Sequence, residues 1–262
     1  MENNAAISFA NVAAGYDGKH DVLSNVSFNI SRGAFYFLSG ASGAGKTTLL
    51  RLIYMLHRQR SGQIKLFGKP TAGLSRQGIT DLRRQMAIVF QEYSLLSHLS
   101  VFDNVALPLR VRAMPEDKIK KLVGKTLEWV GLGRYANSAP KSLSGGQQQR
   151  VSVARAIIVQ PEILLADEPT GNLDDENASR LMELFMQMNK SFGTTIILAT
   201  HNRKLMDIYK FPVIMVENHK VSFMGKENIS DAAEQKKVWK GPKPQNYFTD
   251  LLKQFDEIAT TQ

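Results

Sequence analysis

The chain has 262 residues, room for one large α/β domain or two small ones, and its 43% apolar and 22% charged residues exclude a wholly disordered polypeptide. It contains no cysteine, which excludes disulfides and thiolate metal sites. The net charge of +9 is concentrated between residues 51 and 150, where 17 Lys/Arg stand against 6 Asp/Glu. Such a field favours anionic partners, although a solvated basic face is the plainer explanation. No basic run is interleaved with aromatics, so a nucleic-acid partner is not expected.

The first eight residues, MENNAAIS, have neither a basic n-region nor an apolar h-region, so no signal peptide is expected. Residues 7–12 and 26–30 alternate in polarity and predict two strands. Residues 34–39 predict a short strand ending at Gly40, and a helix is predicted from Lys46 to Ile53. Ser61-Gly62 and Gly68-Lys69-Pro70 punctuate a hairpin around residues 64–67, and residues 85–90 predict a buried strand ending at Gln91.

From about residue 92 to residue 159 the pattern turns helical, with Ile119, Leu122, Val123, Leu127 and Val130 on one face. Strands resume at residues 163–167, 194–200 and 213–216, apolar on both parities as strands covered on both faces must be. These runs fall far short of the roughly 18 apolar residues that span a bilayer. Past Lys226 comes a tail punctuated by Lys and Pro. Its Tyr247, Phe248, Leu251, Leu252, Phe255 and Ile258 recur at helical spacing, and the opposite face is mainly acidic, unlike a lipid-surface helix. The organisation expected is an α/β core (1–91 and 160–225) interrupted by a helical subdomain (about 92–159), with a separate tail (226–262).

Strand, glycine loop and helix together frame Gly40-Ala41-Ser42-Gly43-Ala44-Gly45-Lys46-Thr47-Thr48, which fits the phosphate-cradling pattern G-x-x-x-x-G-K-[ST]. Glycines let backbone N–H groups converge on phosphate oxygens, and the helix presents its positive end to the same anion. Lys46 then supplies charge to the β/γ-phosphates and the Thr47 hydroxyl a ligand to Mg²⁺. Asp167 and Glu168 follow a buried strand, the edge where open parallel sheets bind ligands. Asp167 suits Mg²⁺, and Glu168 suits polarising an attacking water. His201 ends another strand and is placed to contact the γ-phosphate or orient the water. Gln91 ends a third, placed for Mg²⁺ or water. A second glycine motif, Leu143-Ser144-Gly145-Gly146-Gln147, is of a kind that places bare backbone N–H groups at a helix start.

In this order and spacing the motifs resemble those of the ATP-binding cassette (ABC) ATPases across residues 7–225. The resemblance implies a RecA-like P-loop NTPase core with an ABC-type antiparallel β subdomain and an inserted helical subdomain. It also implies ATP hydrolysis with Mg²⁺. Under it Tyr16 is similar to the A-loop aromatic that stacks on adenine, with a core tyrosine as the alternative. Gly40 to Thr48 is the Walker A loop, Gln91 the Q-loop, Asp167 the end of Walker B, and Glu168 the catalytic glutamate. Asn172-Leu173-Asp174 resembles the D-loop and His201 the H-loop switch. Ser144, Gly145, Gly146 and Gln147 resemble the signature motif, which implies a head-to-tail homodimer closing over ATP in trans.

Within the family, phrases such as Leu82-Arg-Arg-Gln-Met and Phe90-Gln-Glu-Tyr-Ser-Leu-Leu resemble the cell-division branch, FtsE. That implies a peripheral subunit at the cytoplasmic face of the inner membrane, held by an integral FtsX-like partner and regulating peptidoglycan hydrolysis. Alternatives are the ATPase of a lipoprotein-releasing or macrolide-type exporter, or a soluble ABC ATPase acting on DNA or ribosomes. One cassette with a short helical insertion and no sustained heptads argues against the last. The tail from Lys226 has no counterpart in the short FtsE pattern, and Gln147-Gln-Gln-Arg150 has Gln where FtsE commonly has Glu.

Overall fold

The computed structural model describes residues 4–18, 20–90, 92–171 and 173–224. Its strands are β1 (Ala5–Ala14), β2 (Leu23–Ser31), β3 (Phe35–Ser39), β4 (Ser61–Leu66), β5 (Lys69–Pro70), β6 (Met86–Val89), β7 (Ile163–Asp167), β8 (Thr195–Ala199), β9 (Val213–Glu217) and β10 (Lys220–Met224). Its helices are α1 (Lys46–Ile53), α2 (Arg76–Arg84), α3 (Val101–Val111), α4 (Glu116–Trp129), α5 (Gly145–Ile157), α6 (Asp175–Phe192) and α7 (Arg203–Tyr209). Two compact units result. Among the described residues, the first holds those before 92, residues 161–171 and residues 188–224; the second holds residues 92–160 and 173–187.

The first unit carries two sheets. One is antiparallel in the order β2-β1-β4-β5; the other runs β10-β9-β3-β8-β7-β6. In the second sheet β9, β3, β8, β7 and β6 are parallel, and only β10 pairs antiparallel. All five residues of β3, of β7 and of β8 are buried, so apolar side chains are required on both parities. Phe35 and Phe37 of β3 meet Phe211, with the Phe35 and Phe211 rings stacked at 4.1 Å. β9 departs from the same expectation: Ile214 and Val216 are fully buried, whereas Val213 and Met215 are only partly so. It lies beside the edge strand β10, which has no fully buried residue, so one face of the sheet is thinly covered there.

The parallel strands share a direction, so the residues after β3, β7 and β8 emerge at one edge. Gly40, Glu168 and Thr200 are those residues. The edge is therefore where any chemistry of the first unit gathers.

The second unit is helical, but α3 starts only at Val101: residues 92–100 form no helix, where helical periodicity is expected from about residue 92. Ser100 caps α3 by accepting from the Asp103 N–H at 3.0 Å. Ile119, Leu122, Val123 and Leu127 of α4 are buried, as is Val130 just past its end. Asn104 of α3, fully buried, organises the preceding loop: its Oδ1 accepts from the Leu96 N–H at 2.8 Å, and its Nδ2 donates to the carbonyls of Leu96, Leu99 and Ser100 at 3.0, 3.3 and 2.9 Å. Replacing Asn104 by Leu strands these loop groups away from water. We expect a loss of about 2–4 kcal/mol, read from the urea midpoint, and a loss under about 0.5 kcal/mol would refute this role.

Candidate functional site

β3 runs into the loop at Gly40, whose φ is +152°; a Cβ there would lie 2.3 Å from the Val216 carbonyl oxygen, so only glycine is accommodated. Gly45, at φ +110°, precedes α1 in the left-handed region. Helix α1 begins with no side-chain cap and no acidic residue in its first turn. By contrast, α2, α3, α5 and α7 are capped by Ser75, Ser100, Ser144 and Asn202, and α4 opens on Glu116 and Asp117. The start of α1 therefore keeps its N–H groups and positive end available to an anion. Lys46 folds over this loop, its Nζ donating to the carbonyls of Gly40 at 2.9 Å and Ala41 at 3.0 Å. Ser42 is exposed and Ala44 partly buried in the same turn.

Thr47, on the first turn of α1, donates its hydroxyl to Asp167 Oδ2 at 2.8 Å. This bond joins the phosphate loop to the end of β7. Burial pushes the Asp167 carboxyl above the usual carboxylate range, opposed by the Thr47 bond, raised further by Glu168 and lowered by Lys46. Among the described residues no group of three or more His, Cys, Asp or Glu forms a metal cage. A hard cation at Thr47 and Asp167 would take its remaining ligands from phosphate oxygens and water, as Mg²⁺ does. The oxygen pair present fits that ion.

Glu168 sits in the left-handed region, with φ +48°. Its backbone N–H donates to the Ala199 carbonyl at 3.0 Å, and its own carbonyl accepts from the Gly171 N–H at 3.1 Å. Such a backbone is costly for a non-glycine residue and persists only where its surroundings enforce it. The result re-aims the carboxylate. Oε1 lies 2.9 Å from His201 Nδ1, and Oε2 is buried without a hydrogen-bond partner. An orphaned carboxylate oxygen at this edge has the free lone pairs that a water would meet.

Tyr16 follows β1 and is 57% exposed. Its hydroxyl lies 3.1 Å from Thr48 Oγ1, which is buried in α1, and its ring stacks on His57. The alternative of a core tyrosine is thereby overturned. No motif marks His57, and its spacing from Tyr16 carries no sequence signal.

The second glycine motif lies in the second unit. Ser144 and Gln147 close a capping box at the start of α5, with the Gln147 N–H donating to Ser144 Oγ at 3.3 Å and the Ser144 N–H to Gln147 Oε1 at 2.9 Å; the box uses the N–H groups of these two residues and not those of Gly145 and Gly146 between them. A Cβ on Gly145 would meet the Tyr93 hydroxyl at 3.0 Å, and one on Gly146 would meet Leu173 Cδ2 at 3.1 Å. Asp174 accepts from the backbone N–H and side-chain amide of Asn177, both at 2.8 Å, at the start of α6. These bonds hold its carboxyl below the ordinary range. Gln91, Asn172 and the tail from Lys226, with its helical spacing at 247–258, lie outside the described residues.

A family model described as ABC transporter matches residues 23–171. The cell division ATP-binding protein FtsE of Escherichia coli (strain K12) is 42% identical over 200 residues, which cover 76% of this chain and 90% of FtsE. The methionine import ATP-binding protein MetN 1 of Salmonella typhi is 44% identical over 188 residues, 72% of this chain and 54% of MetN 1. The chain thus spans about half the length of that relative. Among solved structures, the dimeric post-hydrolysis state of the ATP-binding cassette MJ0796 bound to ADP and Pi matches with a TM-score of 0.77 at 33% identity, covering 83% of this chain and 97% of that chain.

Proposed function

The chain belongs to the ABC transporter family as an ATP-binding cassette ATPase, and we propose that it is the FtsE-like subunit of a bacterial cell-division complex. In this reading it dimerises head to tail, pairs with an integral FtsX-like membrane protein and sits peripherally at the cytoplasmic face of the inner membrane. ATP-driven closure would then reach peptidoglycan hydrolases through that partner. Among the described residues no helix is long and apolar enough to cross a membrane, which fits attachment through a partner.

The observation that carries the ATPase chemistry is the convergence of an uncapped helix start, Lys46, the Thr47–Asp167 pair and Glu168 at one sheet edge. The loop from Gly40 to Gly45 and Lys46 would bind the β- and γ-phosphates, and Thr47 with Asp167 would hold Mg²⁺, which neutralises phosphate charge. His201 fixes one oxygen of Glu168 and leaves the other to accept a proton from the attacking water. Ser144 and Gly146 of one protomer would close over the γ-phosphate held by Lys46 of the other, so that hydrolysis releases the dimer.

The FtsE branch rests on 42% identity running through nine-tenths of FtsE. The 44% identity to MetN 1 supports a second reading, the ATPase of an importer. Purification of the full chain from cross-linked native membranes, with identification of the co-purifying membrane protein, separates the two. An FtsX-like protein is the expected result. An importer permease would establish the second reading, and ribosomes or DNA with no membrane protein would overturn both.

A further inference from the structure

We propose that His57 is a positioning residue for the nucleobase: its imidazole backs the Tyr16 ring and ties the backbone just before Tyr16 to the segment that follows α1. The proposal rests on the reading above, in which Tyr16 stacks on the base of ATP. The two rings lie 4.6 Å apart between centroids with planes 28° apart. His57 Nε2 lies 3.0 Å from the Gly15 carbonyl. A carbonyl oxygen only accepts, so the proton is on Nε2 and the imidazole is held from both its face and its edge. One face of the Tyr16 ring is thus covered by His57, while the residue as a whole stays 57% exposed, as a ligand stacking on its other face requires.

The same stretch of chain makes further ties. The Arg60 N–H donates to the Ala13 carbonyl at 2.7 Å, and its guanidinium reaches the His20 carbonyl at 3.4 Å and the Asp21 carboxylate at 3.2 Å. From the other end of the helix, Thr48 holds the Tyr16 hydroxyl. Thr48 in α1, and His57 and Arg60 in the segment that follows it, therefore hold Ala13, Gly15, Tyr16, His20 and Asp21 against the helix that opens on Lys46. Phosphate loop and base platform become parts of one body with a fixed separation. A ligand that carries both a triphosphate and a flat base spans it; a bare triphosphate engages only one end. Without His57 the Tyr16 ring loses its backing and swings, and a base stacked upon it gains less.

The test is calorimetric titration of the full-length chain with Mg²⁺ and either ATP or inorganic triphosphate. An aromatic pair of this kind is worth about a threefold to tenfold change in affinity, so His57→Ala is expected to weaken ATP by about fivefold and triphosphate by less than about twofold. His57→Phe keeps the stack without the edge bond and is expected to return ATP affinity to within about twofold of the unsubstituted chain. ATP binding unchanged in His57→Ala, equal losses for ATP and triphosphate, or no recovery in His57→Phe would each overturn the proposal. Tyr16→Ala is the separate arm. If it leaves ATP affinity intact, the reading of Tyr16 as base platform fails; if it weakens ATP while His57→Ala does not, only the role of His57 fails.

Discussion

Replacing Glu168 with Gln is expected to lower ATP turnover by a factor of about 10³ while leaving nucleotide binding within about twofold, because a positioned general base contributes roughly 10²–10⁴ to such a step. The substitution is chosen for what it preserves. Gln has the shape of Glu, so the φ of +48° and the backbone bonds to Ala199 and Gly171 are retained. The amide also keeps a hydrogen-bonding group beside His201, as the carboxylate does at 2.9 Å. What disappears is the basicity of the unpartnered Oε2, the atom proposed to take the proton from water. Lys46, Thr47 and Asp167 are untouched, so the phosphates are held as before. An enzyme that binds ATP and does not cleave it should accumulate in the closed dimer. Phosphate release measured under single turnover, with size-exclusion chromatography in the presence of ATP, reads both consequences. Turnover within about threefold of the unsubstituted chain would remove Glu168 from the role of base.

The central strands were legible because their signal is local. β3, β7 and β8 are short apolar runs, with a residue type that a buried strand would not contain at or just past their ends: Gly40, Glu168 and, after Thr200, His201. Parallel pairing brings their ends together, so the sequence itself implies Lys46, Asp167 and Glu168 at one edge. Elements without such contrast were not legible. α2 has only two large apolar residues, Ile79 and Leu82, and buries only Leu82, too few to set a period, and β10 alternates between exposed and partly buried residues. α6 buries Ala178, Leu181, Met182, Leu184, Phe185, Met186 and Met188, so three consecutive apolar residues at 184–186 blur the helical stripe.

Long-range side-chain contacts are legible only where a shared role links them. Thr47 and Asp167, 120 positions apart, are linked by the Mg²⁺ that both suit, whereas nothing in the sequence links His57 to Tyr16, 41 positions away. The capping box at Ser144 is the opposite case. Its S-x-x-Q spacing is local in the sequence, and the glycine pair between the two residues carries the phosphate reading beside it. The glycines also suit close packing, since a Cβ at either would press on the Tyr93 hydroxyl or the Leu173 methyl.

Replacing Lys46 with Ala should act earlier in the cycle, on binding itself. Its ammonium now donates to the Gly40 and Ala41 carbonyls, and these bonds turn two acceptors of the loop away from any anion while keeping a positive charge over it. When a triphosphate enters, the same ammonium can exchange carbonyl oxygens for phosphate oxygens with little change of position. Hydrogen bonds to a charged group contribute about 1.5–3 kcal/mol each, so losing two of them weakens ATP by roughly 10²-fold or more. The fold should survive, because Lys46 is only partly buried and lies outside the hydrophobic core of α1, which consists of Leu49, Leu50, Leu52 and Ile53. Titration with a fluorescent ATP analogue, alongside thermal melting by circular dichroism, distinguishes lost affinity from lost structure. An affinity within about threefold of the unsubstituted chain, in a folded protein, would mean that the uncapped start of α1 binds the phosphates without Lys46. The two substitutions also order the cycle. If Lys46 governs binding and Glu168 only the chemical step, the double variant should bind ATP as poorly as Lys46→Ala alone, since removing the base adds nothing where the substrate is not held.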